Sequence, residues 1–242
     1  MLETAQDWSI ACDDIATEVL TEAGLFTPPF DMFELAQRRA LKVIWDSGQA
    51  GRGRFMRLEH NAAIFLRPDD RPERLHWTIA HEIGETLAWR VAQRLGLDAA
   101  ELSPRQREAI ANQLAQHLLL GDAPWSRALQ AEGQHLLRLK SCFPNASHEL
   151  IAWRLLDGED TKIVSIIDKG VVSRRRANFA ARAPAVTQDE QRCWEQARMD
   201  GDASCEHVHG LLGDDRRARC RAWAIHEPGW QREILITWVE IE

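Results

Sequence analysis

His81, Glu82 and Glu85 stand in the stretch Ile79-Ala80-His81-Glu82-Ile83-Gly84-Glu85 at a spacing that suits metal chemistry. Residues i and i+4 of an α-helix share a face. The arrangement H-E-x-x-H uses that face to hold a metal between two histidines, while the glutamate between them activates a water. Here Glu85 takes the place of the second histidine. A carboxylate also binds zinc or manganese, so the expected ligands are His81 and Glu85, with Glu82 as general base and a ligand charge that differs from the two-histidine case.

The dipeptide His-Glu is weak by itself, since it recurs at His148-Glu149 and His226-Glu227. Pro228 and Gly229 break any helix after the last, and Ala152 stands at the i+4 position of the second. Only the first lies in a long amphipathic run, Arg74 to Leu95, closed by Gly96. A metal needs a third protein ligand. Ser103, Pro104 and Gln106 mark the start of the next helix, and Glu108, one turn in, can face back toward His81. His117 lies nine residues further on, about half a revolution away, so Glu108 is the better ligand.

The pair Ala80-His81-Glu82-Ile83-Gly84-Glu85 and Glu108-Ala109-Ile110-Ala111-Asn112-Gln113-Leu114-Ala115 resembles the ImmA/IrrE family of metallopeptidases. Members carry a helix of the type A-H-E-x-G-H followed by one of the type E-x-x-A-N-x-x-A. The resemblance extends upstream to Asp31 through Ala36 and downstream to Phe143 through Ser147 and Ala152 through Leu156, covering roughly residues 10 to 180. It implies a cytoplasmic regulatory protease of stress responses or mobile elements, which cuts a helix-turn-helix transcriptional repressor. Matched residue by residue, His81 is the first metal ligand, Glu82 the general base and Glu108 the third ligand. Glu85 is the departure. It makes the ligand set two carboxylates and one histidine, and the extra negative charge lowers the Lewis acidity of the ion.

Composition agrees with a globular protein: 242 residues, 45% hydrophobic, with net charge -7. No apolar run suffices to span a membrane, and Met1 to Asp7 lacks the pattern of a secretory signal. A cytoplasmic location is expected. The cysteines, Cys12, Cys142, Cys193, Cys205 and Cys220, are odd in number and widely spread, as reduced thiols would be. The net charge does not advertise nucleic-acid binding, and the basic runs Arg174-Arg175-Arg176 and Arg216-Arg217-Ala218-Arg219 read as solvated faces or as charges neutralised by neighbours.

The elements that must position these groups point to an α+β fold. A mainly helical metallopeptidase-like domain with a small antiparallel sheet is expected over residues 1–125, a helical, helix-turn-helix-like segment over 126–160, and a strand-rich region over 161–242. A helix over residues 8 to 23 ends at Gly24, and Asp31 with Glu34 opens the next. Leu41 to Trp45, Phe55 to Leu58 and Ala62 to Leu66 supply the small sheet, whose edge beside the metal helix could take an extended peptide as an added strand.

Ser126 to Leu139 and Ser147 to Leu156 read as two helices. Of the second, only Arg154 is basic, which favours packing over DNA contact. Beyond them, Lys162 to Ile167, Cys205 to Leu211, Ala218 to Ile225 and Glu233 to Ile241 read as strands, with a helix over Ala185 to Met199. On the second of these strands Cys205, His207 and His209 would share a face, more plausibly as partly buried polar residues than as a metal site.

The chain has ten tryptophans and no tyrosine, so any side-chain donor to a developing oxyanion must come from elsewhere. His76 and Arg74 are candidates by proximity in sequence alone. Two functional readings follow. One is a metal-dependent peptidase using His81, Glu82, Glu85 and Glu108; the other is a peptidase-like regulator that has lost catalysis and binds a protein partner or DNA.

Overall fold

The computed structural model of the protein describes residues 5–58, 61–180, 182–211, 217–226 and 230–240. The chain divides into two compact units, Met1–Gly133 with Arg138–Ser147, and Gln134–Leu137 with His148–Glu242. In the first unit, α1 (Ala5–Glu22) is followed by α2 (Met32–Arg38), whose N-cap Asp31 accepts from the amides of Phe33 and Glu34. Three strands come next, β1 (Leu41–Trp45), β2 (Gly53–Leu58) and β3 (Asn61–Leu66). Their order in the sheet is β1-β3-β2. β2 and β3 form the expected antiparallel pair, whereas β1 runs parallel to β3, so the sheet is mixed. With β3 in the middle, β1 lies on the far side from its successor, a position that a tight hairpin cannot create.

The long helix α3 (Pro72–Arg94) starts at a first-turn proline and ends beside Gly96, whose φ of 73° is the left-handed conformation that suits glycine. It buries Ile79, Ala80, Ile83, Leu87, Val91 and Ala92, the three-and-four spacing of one face. α4 (Pro104–Leu120) opens with a complete capping box: Ser103 accepts from the Gln106 amide, and the Gln106 side chain caps Ser103 in return.

Gly84 sets how closely α3 meets α4. A Cβ there would come within 2.8 Å of the Ala111 carbonyl oxygen, so any larger residue must push the helices apart. Gly84→Val should therefore destabilise the protein by about 1–3 kcal/mol, the usual range for overpacking a close contact, and urea unfolding measures it. An unchanged midpoint would contradict the close approach.

Sequence reading extends one helix from Ser126 to Leu139, but the chain makes two there. α5 (Asp122–Glu132) stops at Gly133, where φ is 61°, and α6 (Leu136–Cys142) begins afresh. Glycine is the residue that allows such a stop, and the apolar periodicity on either side conceals it.

The second unit contains α7 (His148–Arg154), a 3-10 turn over Leu155–Asp157, β4 (Lys162–Asp168), β5 (Val171–Ala177), α8 (Gln188–Asp200), β6 (Asp202–Cys205), β7 (Ala218–Ala224) and β8 (Arg232–Val239). The strands form one antiparallel sheet in the order β5-β4-β8-β7-β6. β4 and β5 join through Lys169 and Gly170, both at positive φ (52° and 80°), the backbone of a two-residue hairpin turn. The arginines of β5 hide this edge strand from a hydrophobic reading, since its apolar face is thin.

α8 is capped by Thr187 and Glu190 and lays Cys193, Trp194 and Ala197 against Ile163, Ile167 and Leu235 of the sheet. Buried carboxylates inside this unit are paired. Both oxygens of Glu190 accept from Arg175 Nη2, at 2.9 and 3.0 Å, and Glu233 accepts from Arg198 at 2.8 and 3.1 Å.

The strand expected over Cys205 to Leu211 is corrected. β6 ends at Cys205, and His207 and His209 are exposed in the loop beyond it. The alternation Cys-Glu-His-Val-His imitates a strand, but in that loop it is Val208 and Leu211 that reach the core, and His209 turns to Asp189 instead. Cys205, His207 and His209 therefore share no sheet face. Pro228 and Gly229, Arg216 and Ile241 lie outside the described residues.

Candidate metal centre

The site is assembled where α3 crosses α4. His81 projects from α3 with Glu85 one turn later, and Glu108 projects from the first turns of α4. The ligand atoms of these three residues all lie within 4.8 Å of one another. His81 Nε2 is 3.7 Å from Glu85 Oε1 and 3.7 Å from Glu108 Oε2. Donors bound at about 2.0–2.1 Å around a tetrahedral ion stand roughly 3.3 Å apart, so small side-chain adjustments would bring these to ligand distance. The freedom exists, because the Glu85 and Glu108 side chains are 48% and 57% exposed while His81 is held at 17%. The donor set thus fits a divalent cation.

Asn112 holds the arrangement from behind. Its Oδ1 lies 3.2 Å from His81 Nδ1, and its Nδ2 donates to Glu108 Oε1 at 3.0 Å. With the amide oriented in that way, Asn112 Oδ1 is placed to accept from His81 Nδ1, and Nε2 is the ring atom turned toward both carboxylates. Asn112 lies within the family-like stretch Glu108 to Ala115, where no role is expected of it from the sequence. Its position four residues after Glu108 is the signal, because i and i+4 side chains meet on one helix face.

Glu82, the residue after His81 on α3, is buried and reaches β2. The Phe55 amide donates to Glu82 Oε2 at 2.7 Å. Burial pushes the Glu82 carboxyl above its usual range and the charge of Glu85 adds to this, while the Phe55 amide and His81 act in the opposite sense. Gly53 makes the contact sterically possible. A Cβ at this position would sit 2.4 Å from Thr78 Cγ2 and 2.7 Å from Glu82 Oε1. In the sequence Gly53 reads as part of a turn; its closeness to Glu82 emerges only when β2 is laid along α3.

Other candidates are engaged elsewhere. His76 Nδ1 accepts from the Met32 amide at 3.2 Å, and its ring packs edge-on against Phe33. Arg74 pairs with Asp69 at 3.2 Å and lines a cavity of about 270 Å³ with Arg52, Arg67 and Thr78. His117 faces away from Glu108, as its place on α4 requires. It is buried with Nδ1 at 3.2 Å from Asp13 and 3.0 Å from Asp122, tying α1 to α4 and to the start of α5.

Arg154, Arg174, Arg175, Arg176 and Arg219, singled out in the sequence, are also partnered. Arg174 pairs with Glu149, Arg175 with Glu190, and Arg176 lies over the Trp153 ring. Arg219 lies over Trp238, and Arg154 is buried against Asp157. Among the described residues no helix is long and apolar enough to cross a membrane.

Residues 36–155 match the family Peptidase_M78, described as the IrrE N-terminal-like domain. A comparison with curated proteins finds no significant match. Among solved structures, a Mycobacterium tuberculosis transcriptional regulator is similar, with a TM-score of 0.65 over 94% of this chain and 74% of that one. The two are 17% identical, so the likeness is one of fold.

Proposed function

We propose that this chain, which carries an IrrE N-terminal-like domain of the Peptidase_M78 family across residues 36–155, is a regulatory metal-dependent endopeptidase whose substrate is a helix-turn-helix transcriptional repressor. The observation that carries the reading is the convergence of His81, Glu85 and Glu108 beside the buried carboxylate of Glu82. The cation, zinc or manganese, would polarise the scissile carbonyl and the attacking water.

Glu82 is placed to act as the base that would take the proton of an attacking water and return it to the leaving amine. The Phe55 amide fixes one of its oxygens, which orients the other and limits the side-chain freedom lost on reaction. Asn112 fixes the His81 ring, so its Nε2 is directed at the carboxylates. β2 is an edge strand of its sheet, and an extended segment of a protein substrate could add along it.

Glu85 favours a second reading, in which the same fold has lost most of its chemistry and acts by binding a protein partner or DNA. Metal analysis separates the two. Protein dialysed against zinc or manganese and then freed of excess should retain one divalent ion per chain, and His81→Ala or Glu108→Ala should lose it. Retention of the ion by both variants would overturn the site. Wild-type protein that binds no ion and cuts no repressor would leave the binding reading in its place.

A further inference from the structure

Cys205 closes β6, and Cys220 stands directly opposite it on β7, so both side chains leave the sheet on the same face. Opposed residues of an antiparallel pair have Cα atoms about 4.5–5.5 Å apart. A disulfide spans roughly 4.4–6.8 Å between Cα atoms, so the register places this pair within bridging range. Cys193 of α8 packs against the same cluster, its thiol beside that of Cys220. That contact holds the Cys193 thiol below its ordinary range, and it pushes the Cys220 thiol up, with burial adding to the rise.

The thiols differ in access. Cys193 and Cys220 are 5% and 2% exposed, whereas Cys205 is half-buried at the sheet edge, with its sulfur 3.2 Å from the His207 carbonyl oxygen. A metal explains this group poorly. Among the described residues, the clusters whose donors converge on one point contain no cysteine.

We propose that Cys205 and Cys220 form an oxidation site at which a hydroperoxide generates an intramolecular disulfide between β6 and β7. Cys205 reacts first because it is the thiol that solvent reaches. Its sulfur attacks a peroxide oxygen, the O–O bond breaks as the S–O bond forms, and the departing oxygen leaves as water with the thiol proton. Cys205 is then a sulfenic acid. The Cys220 sulfur attacks the Cys205 sulfur, the S–S bond forms as the S–O bond breaks, and a second water leaves with the Cys220 proton. Two thiols and one hydrogen peroxide become one disulfide and two waters. Each sulfur gives up one electron, and the peroxide oxygens take up both.

The test is peptide mass mapping, without reduction, of the full chain treated with stoichiometric hydrogen peroxide. The expected product is a Cys205–Cys220 linked peptide pair lighter by two hydrogens than the free peptides and restored to them by dithiothreitol. Cys205→Ser should form no disulfide within the second unit. Cys220→Ala should leave Cys205 as a sulfenic acid that a dimedone probe captures. Cys12 is an internal control, because burial pushes its thiol up to about 12 and Asp13 reinforces this. It should lose its thiol more than about tenfold more slowly than Cys205. A Cys193–Cys220 link, a disulfide between chains, over-oxidation of Cys205 in the wild type without a disulfide, or no oxidation at all would each overturn the proposal. If Cys220→Ala fails to fold, the wild-type map and Cys205→Ser still decide it.

Discussion

Glu85→His is expected to raise zinc affinity by on the order of tenfold, roughly 1.4 kcal/mol, and to create or increase cleavage of a helix-turn-helix repressor. The reason lies in the charge at the site. With Glu85 and Glu108 both ionised and His81 neutral, the ligands would neutralise a divalent cation completely; an imidazole in place of Glu85 leaves it one positive charge. That charge is what draws electron density from a water or a carbonyl, so the variant should activate both better.

The histidine also shifts the donor set from hard oxygen toward nitrogen, so the preference should move from manganese toward zinc. Space is available, because the Glu85 side chain is half exposed and its partner atom on His81 is 3.7 Å away. Removal of a negative charge should also relieve Glu82, whose carboxyl Glu85 pushes up. Calorimetric titration with each metal and a cleavage assay against candidate repressors measure the effect. Wild-type affinity and activity in the variant would show that Glu85 is not a ligand.

The grouping of the candidate site was legible in the sequence to the extent that it depends on spacing along one helix. His81, Glu82 and Glu85 are fixed by the i, i+4 geometry of α3, and the facing of Glu108 and the exclusion of His117 follow from residues per turn. Apart from Glu108, what crosses between elements was not legible. The Phe55 amide carries no side-chain signature, and Gly53 gains its meaning from the 2.7 Å that a Cβ would leave to Glu82. In the sheet, alternation located β1, β2 and β3 but could not say that β1 runs parallel to β3, because period two describes a strand and not its neighbour. The same signal misled at His207 and His209, where a polar alternation occurs in a loop. It missed β5, an edge strand whose three consecutive arginines are partnered by Glu149, Glu190 and the Trp153 ring. Pairing of that kind depends on which segments the fold brings together.

Glu82→Gln should reduce cleavage by about 10²–10⁴-fold, the usual range for loss of a general base, while leaving metal affinity unchanged. Glutamine is nearly the same shape, and its carbonyl oxygen can still accept from the Phe55 amide, so β2 should keep its place against α3. The side chain stands outside the group formed by His81, Glu85 and Glu108, which is why binding should survive.

The metal-free protein gives an independent readout. Burial raises the Glu82 carboxyl, so its folded value exceeds its unfolded one. A group shifted in that direction contributes stability that is fully present below its unfolded value and is lost as pH rises through the raised folded value. Glutamine does not titrate. Relative to wild type, the metal-free variant should therefore gain stability as pH rises from the ordinary glutamate range through neutrality, and thermal unfolding at a series of pH values follows that gain. A parallel pair of stability curves would mean that Glu82 is not buried in charged form, and cleavage that survives the substitution would remove it as the base.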